Sequence, residues 1–176
     1  AEDPNGYIWI GTNHGLNCFS GSNYTVYYAQ KEATALNSDY VSNLMLDDDG
    51  RLWMSNECGL CVREDGVFRH LPNMGFNPIG RVLDLDSRWL IITDRIGIAK
   101  VEKQTLKEEK YYPQPGMSNV TAITVSSQKQ IWTANASRHA TGIYILDEEL
   151  NLLRTLHCPR DAYINDIVED SRQRMW

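Results

Sequence analysis

Short alternating runs of apolar and polar residues fill the chain, and turn residues separate them. One stretch shows the pattern best: Val41 to Leu46, Leu52 to Asn56, Gly59 to Arg63 and Val67 to Leu71. Asp47-Asp48-Asp49-Gly50 and Glu64-Asp65-Gly66 break these runs, and such residues reverse a strand cheaply. Four short strands, A to D, are predicted there. Almost nothing has helical periodicity; Ala29 to Asn37 is expected to hold at most one short helical turn.

The same unit recurs. Tyr7-Ile8-Trp9-Ile10-Gly11-Thr12-Asn13-His14-Gly15-Leu16 aligns with Arg51-Leu52-Trp53-Met54-Ser55-Asn56-Glu57-Cys58-Gly59-Leu60. Ile91 takes the Trp place in a third copy, which ends in Gly97-Ile98; Trp132 marks a fourth, with Gly142-Ile143 delayed; Trp176 marks a fifth. These positions lie 44, 38, 41 and 44 residues apart. Approximate repeats therefore run over 1–40, 41–78, 79–118 and 119–162, with a further one starting at 163–176. Four strands every forty-odd residues is the period of a β-propeller blade. The fold class expected is all-β, with about four blades of four antiparallel strands, a fragment of a larger and seven-bladed propeller. Trp9, Trp53 and Trp132 sit between aliphatic residues on strand B and are expected in the core rather than stacked on a ligand. Gly15, Gly59, Gly97 and Gly142 are expected at the B-to-C turn, where positive φ suits glycine. Trp89 falls out of register and is a weak ligand candidate.

Composition narrows the function. The chain has 176 residues, 42% hydrophobic and 23% charged, so a core is within reach and disorder is not expected. Its net charge of −6 argues against nucleic acid and against an anionic membrane surface. No signal peptide or membrane span is visible, and the chain is expected to be an excised piece of something longer.

The motif in Gly6 to Leu16 and Val41 to Leu60, an Asp-rich turn, then Leu or Ile, Trp, small polar residues and Gly-Leu, resembles the two-component regulator propeller repeat. The third copy lacks its Trp and the fourth carries an insertion. The resemblance implies the periplasmic sensor region of an inner-membrane hybrid two-component system of the Bacteroides type. Such proteins join tandem seven-bladed propellers, an immunoglobulin-like sandwich, a membrane helix and intracellular kinase and regulator modules. It implies glycan sensing, with an oligosaccharide ligand, and no catalysis in this segment. Other blades of the same parent chain are implied partners, and unpaired strand edges are expected to drive self-association of the fragment.

In propellers the D–A and B–C loops share one face, where ligands bind. The D–A loops are placed at 29–39, 72–78, 113–118 and 157–162; the B–C loops carry His14, Glu57, Arg95, Arg138 and His139. Asp39, Tyr40, Tyr163 and Asp166, with Arg81 and Arg138, form the candidate ligand set: aromatic rings to stack on a sugar, charged groups to bind hydroxyls. The alternative is that they are ordinary solvated loop residues. Asp47 to Gly50 starts like a calcium loop, but Leu52 and Cys58 stand where the loop needs Gly and Glu, so a strand-to-strand turn is expected, with a distant echo of the sialidase Asp-box. Cys18, Cys58, Cys61 and Cys158 offer one C-x-x-C pair without a second; no metal or cofactor is expected, free buried thiols are, and a disulfide is left open. The competing classes are a propeller lyase or glycosidase, which needs convergent acids with perturbed pKa values, and a scaffold that binds only protein.

Overall fold

A computed structural model of the chain describes residues 1–70, 80–94, 97–113, 119–136, 142–159 and 163–176. Arg95, Arg138, His139, the loop 72–78, and most of 113–118 and of 157–162 after residue 159 lie outside the described residues. The chain divides into two compact units, Ala1–Val82 and Leu83–Trp176.

The first unit holds two sheets. β1 (Ile8–Thr12), β2 (Gly15–Phe19) and β3 (Tyr24–Tyr27) pair in that order, and Ala1 adds a backbone exchange with Trp9 at the free side of β1. β4 (Val41–Leu46), β5 (Leu52–Asn56), β6 (Gly59–Glu64) and β7 (Val67–His70) form the second sheet, in sequence order. The second unit holds β8 (Val82–Asp84), whose first residue closes the first unit, with β9 (Trp89–Thr93), β10 (Gly97–Glu102) and β11 (Glu108–Pro113). Its other sheet is β12 (Asn119–Val125), β13 (Ile131–Ala136), β14 (Gly142–Leu146) and β15 (Leu152–His157). These are all-β propeller blades of antiparallel strands, each neighbour in sequence a neighbour in the sheet.

Two expectations shift. Among the described residues there is no helix: 29–37 is an open turn closed by Gln30 N–H to Leu36 O at 2.8 Å and Ala35 N–H to Glu32 O at 3.0 Å. The last strand starts at Leu152, not Leu150, because Leu150 occupies the left-handed position of the preceding turn at φ 58° and turns its side chain into the core.

One turn design recurs and explains the Asp-rich spacing. In the turns starting at Asp3, Asp47, Ser126, Asp147 and Asp170, the first residue donates its N–H to the carbonyl four residues on and accepts the N–H three residues on. That third residue needs positive φ; it is Gly6 and Gly50 in two turns, at 79° and 78°, and Lys129, Leu150 and Gln173 in the others. A side chain there costs about 1 kcal/mol relative to glycine. The turn-opening carboxylate then ties the loop. Asp47 accepts the N–H groups of Asp49 and Arg51, the Arg51 Nε and, at 2.8 Å, the indole N–H of Trp53. Asp3 holds Trp9 in the same way at 3.1 Å, and Asp170 holds Trp176 at 3.0 Å. Trp9 and Trp53 are thus fixed at both ends, by burial of the ring and by a carboxylate six residues upstream, whereas the ring of Trp176 is exposed.

The strands bury a core in each unit. In the first, Trp9, Leu16, Cys18 and Leu36 pack with Val41, Leu52, Met54, Cys61 and Phe68. Tyr27 joins them, its ring 5.8 Å from that of Trp9 and 5.9 Å from that of Phe68. In the second, Leu85, Ile91, Ile98, Ile123, Ile131, Leu146 and Leu150 form one cluster, and Ala122, Ala134 and Ile167 a second one beside Trp132. Fully burying one such side chain is worth about 1.5–3 kcal/mol. Trp53 is completely buried and Ile91, at the equivalent place, replaces a Trp without opening the core.

Candidate functional site

The loop side of the first unit is built from the D–A connection at 28–40 and the turns at 13–14 and 57–58. Gly15 donates its N–H to Asp39 O at 2.6 Å. Its φ of 101° and the closeness of Tyr27 O, 2.6 Å from where a Cβ would stand, leave room for glycine alone. Asn37 Oδ1 accepts from Asn56 Nδ2 at 2.8 Å, and Cys58 Sγ lies 3.7 Å from Asn37 O. The connection is therefore bonded to the β1–β2 and the β5–β6 turns together.

On this frame Asp39 spends one carboxylate oxygen on the Ala29 N–H at 2.7 Å, fixing the loop, and keeps the other toward solvent. Tyr40 is exposed, its backbone N–H held by Ser38 Oγ at 3.1 Å. Arg81 is half-buried and engaged. Close to it, Asn43 sits at a bulge in β4 with φ 47°; its Nδ2 donates to Gly80 O at 2.6 Å, and Ser55 Oγ donates to the same oxygen at 3.1 Å. Tyr163 and Asp166 lie in the second unit, both exposed, and Asp166 Oδ1 accepts the Ile167 N–H at 3.0 Å. The first unit thus brings Asp39 and Tyr40 onto one loop, with Arg81 following Gly80.

Several residues that hold this side were missed in the sequence. A polar residue three places after each Trp position closes the B-to-C turn: Thr12 Oγ1 accepts the His14 N–H, Asn56 Oδ1 that of Cys58, Asp94 Oδ1 that of Gly97 and Asn135 Oδ1 that of Gly142. The constant offset was there to be read. Gly59 has the expected positive φ, at 126°, but Gly97 and Gly142 do not. Gly97 is required by space, since a Cβ would overlap the Tyr111 hydroxyl and stand 2.7 Å from Tyr112 O; at Gly142 it would meet Leu156 O at 3.1 Å. Trp89 is half-buried rather than free, with Arg88 and Lys100 over its ring at 4.7 and 4.8 Å. All four cysteines are free; Cys18 and Cys61 are buried, whereas Cys58 is exposed, because the tight β5–β6 turn points it outward. Burial pushes the Cys61 thiol up to about 12, so it stays protonated. Among the described residues no group of His, Cys, Asp and Glu is arranged to hold a metal ion.

The sequence model of the two-component regulator propeller family matches residues 1–14 and 35–57. Those two stretches are similar to two-component regulator propeller repeats. The matched segments of these repeats contain Asp3 with Trp9 and Asp47 with Trp53, the two carboxylate–indole pairs of the first unit. The extracellular domain of a putative hybrid two component system from B. thetaiotaomicron superposes over 100% of the chain and 24% of its own length, at TM-score 0.76 and 20% identity. Virginiamycin B lyase from Staphylococcus aureus superposes over 100% of the chain and 60% of its own, at TM-score 0.78 and 17% identity. A gluconolactonase from Xanthomonas campestris does so over 98% and 65%, at TM-score 0.70 and 13% identity. At these identities the likeness is one of propeller fold. The chain spans about a quarter of the length of that extracellular domain. It matches no curated protein.

Proposed function

We propose that this chain is part of the extracytoplasmic, periplasmic sensor region of a hybrid two-component histidine kinase, and that the region responds to an oligosaccharide and signals to carbohydrate-utilisation genes. The observation that carries the reading is the family match at 1–14 and 35–57, on residues that build the first unit. Likeness of fold to the ectodomain of a hybrid two component system supports it. In the first unit the exposed Tyr40 offers an aromatic face to a sugar, with Asp39 and Arg81 as polar groups; in the second unit Tyr163 does so with Asp166, and Arg138 lies outside the described residues. A ligand would act by favouring one packing of the ectodomain over another, which requires different affinity for the two.

A carbohydrate array on the intact ectodomain tests this. A binding glycan is expected, with Tyr40→Ala or Tyr163→Ala weakening it about tenfold through loss of ring stacking. Binding to no glycan, with retention of a protein partner instead, would make the region a scaffold. The lyase and the gluconolactonase share the fold, so the same glycans are assayed for turnover; cleavage would make it an enzyme.

A further inference from the structure

The D–A connection of the first unit does more than carry Asp39 and Tyr40. Its 30–36 turn is bonded to β7 and, with the end of β3 and the β6–β7 turn, borders a cleft of about 240 Å³. Tyr27, Leu36 and Phe68 make the floor. Leu36 and Phe68 are buried, Tyr27 is half-buried, and the Tyr27 and Phe68 rings meet edge to face at 5.9 Å. Tyr28, Gln30 and Thr34 are the exposed part of the wall. The turn is fixed before anything binds. Phe68 donates its N–H to Thr34 O at 3.0 Å, Gln30 its N–H to Leu36 O at 2.8 Å, and His70 Nε2 donates to Ala35 O at 2.7 Å. A wall formed in advance spares a ligand the entropy of ordering it.

The lining decides the class of occupant. Among the described residues it holds no charged side chain, so an ion would give up water there without meeting a partner. The lining is not purely apolar either. Among the described residues the Tyr28 hydroxyl, the Gln30 amide and the Thr34 hydroxyl spend no hydrogen bond on the protein, and all three residues border the cleft. An apolar floor edged by neutral donors and acceptors suits a molecule with one apolar face and a polar periphery. A pyranose is built that way: its C–H bonds make a face that packs on aromatic rings, and its hydroxyls surround the edge. Drug-sized ligands fill about 300–1,000 Å³, so this smaller cleft takes one ring and not a chain of them.

We infer that this cleft binds a single neutral pyranose, with Tyr27 and Phe68 under its apolar face and Tyr28, Gln30 and Thr34 bonding its hydroxyls. The inference goes beyond the function proposed above. It uses none of the residues assigned there to the oligosaccharide and shares with that reading only the class of ligand.

The test is a titration of the ¹⁵N-labelled chain with the methyl β-pyranosides of glucose, galactose and mannose, one at a time. Glycerol and benzyl alcohol are the controls, the first polar without a ring face and the second a ring without the polar edge. The readout is the backbone amides of Thr34 and Gly66 and the side-chain amide of Gln30. A saturable shift of these peaks is expected from at least one pyranoside, with a dissociation constant in the millimolar range usual for so small a ligand. Either control is expected to bind about fivefold more weakly, or not at all. Tyr28→Ala is expected to weaken that pyranoside about fivefold and Thr34→Val about threefold. Both side chains are exposed, so the variants keep the fold. The inference is overturned if no pyranoside gives a saturable shift up to about 100 mM. It is equally overturned if benzyl alcohol or glycerol binds as tightly as the best pyranoside, or if Tyr28→Ala or Thr34→Val binds as the native chain does. The array with Tyr40→Ala reads the other site. A glycan bound there with no response here overturns this inference alone, and a response here with an empty array overturns that reading alone.

Discussion

One side-chain position governs the turns that lead into the Trp strands, and in three of the four it is a carboxylate. Asp3, Asp47 and Asp170 reach the indole N–H six residues on, but at the fourth Trp that place is Ser126. Ser126 Oγ accepts the Gln130 N–H at 3.1 Å and reaches no further, and Trp132 Nε1 is left buried without a partner. A buried unpaired N–H costs about 1–3 kcal/mol, so Ser126→Asp is expected to stabilise the chain by about 1 kcal/mol after the added charge near Glu169 is offset. Urea denaturation checks it; an unchanged or lower midpoint would show that the indole does not lack an acceptor. The Asp-to-Trp spacing was legible in the sequence as a motif. The bond it encodes was not, because a repeat tells which residues recur and not which atoms meet.

Between sheets, space decides. The strands B and A of consecutive blades in the first unit, β1 and β4, come so close that a Cβ on Gly11 would stand 2.7 Å from Val41 O and 3.2 Å from Val41 Cγ1. Backbone cannot yield as a flexible side chain can, so Gly11→Ala is expected to cost about 2 kcal/mol. A thermal melt or denaturant midpoint equal to the native one would mean that β4 moves aside freely. The strands themselves were read closely from alternation: β4 and β5 lie where the pattern put them. The ends set by turn geometry were not. Leu150 looks like the first apolar residue of a strand, yet its backbone belongs to the turn and its side chain to the core.

Over the whole chain the same turns set the response to acid. Asp170 is held at about 2, chiefly by the Trp176 indole and the Arg174 side chain. For Asp3, Asp86 and Asp147 burial alone would raise the value, but the hydrogen bonds from the turn outweigh it and the carboxyls stay below their ordinary range. A carboxylate with a folded pKa below its unfolded one, about 3.9, contributes stability above that pH and loses it as pH falls through the folded value. Glu108 runs the other way, raised first by burial and then by Asp94. Glu102 is lowered as well, first by its hydrogen bond from Thr105 and then by that from Arg88, and five groups against one predict a denaturation midpoint nearly flat from about pH 7 to 5 and falling from about pH 4 toward 2. Asp170→Asn should flatten the lower part of that fall. A midpoint that rises below about pH 4 would show that the turn carboxylates are not held in their charged form.

Period and alternation alone determined that this chain makes successive four-stranded sheets, and the Asp, Trp and Gly-Leu positions fixed where each begins, because those are local demands of strand and turn. Tertiary structure decided what local pattern does not contain. It gave Asp39 a loop-holding bond, exposed Cys58 while burying Cys61, and left the indole N–H of Trp132 without an acceptor. Each of these depends on which distant backbone or ring comes within reach of a side chain, a matter of three-dimensional distance that residue type and spacing leave open.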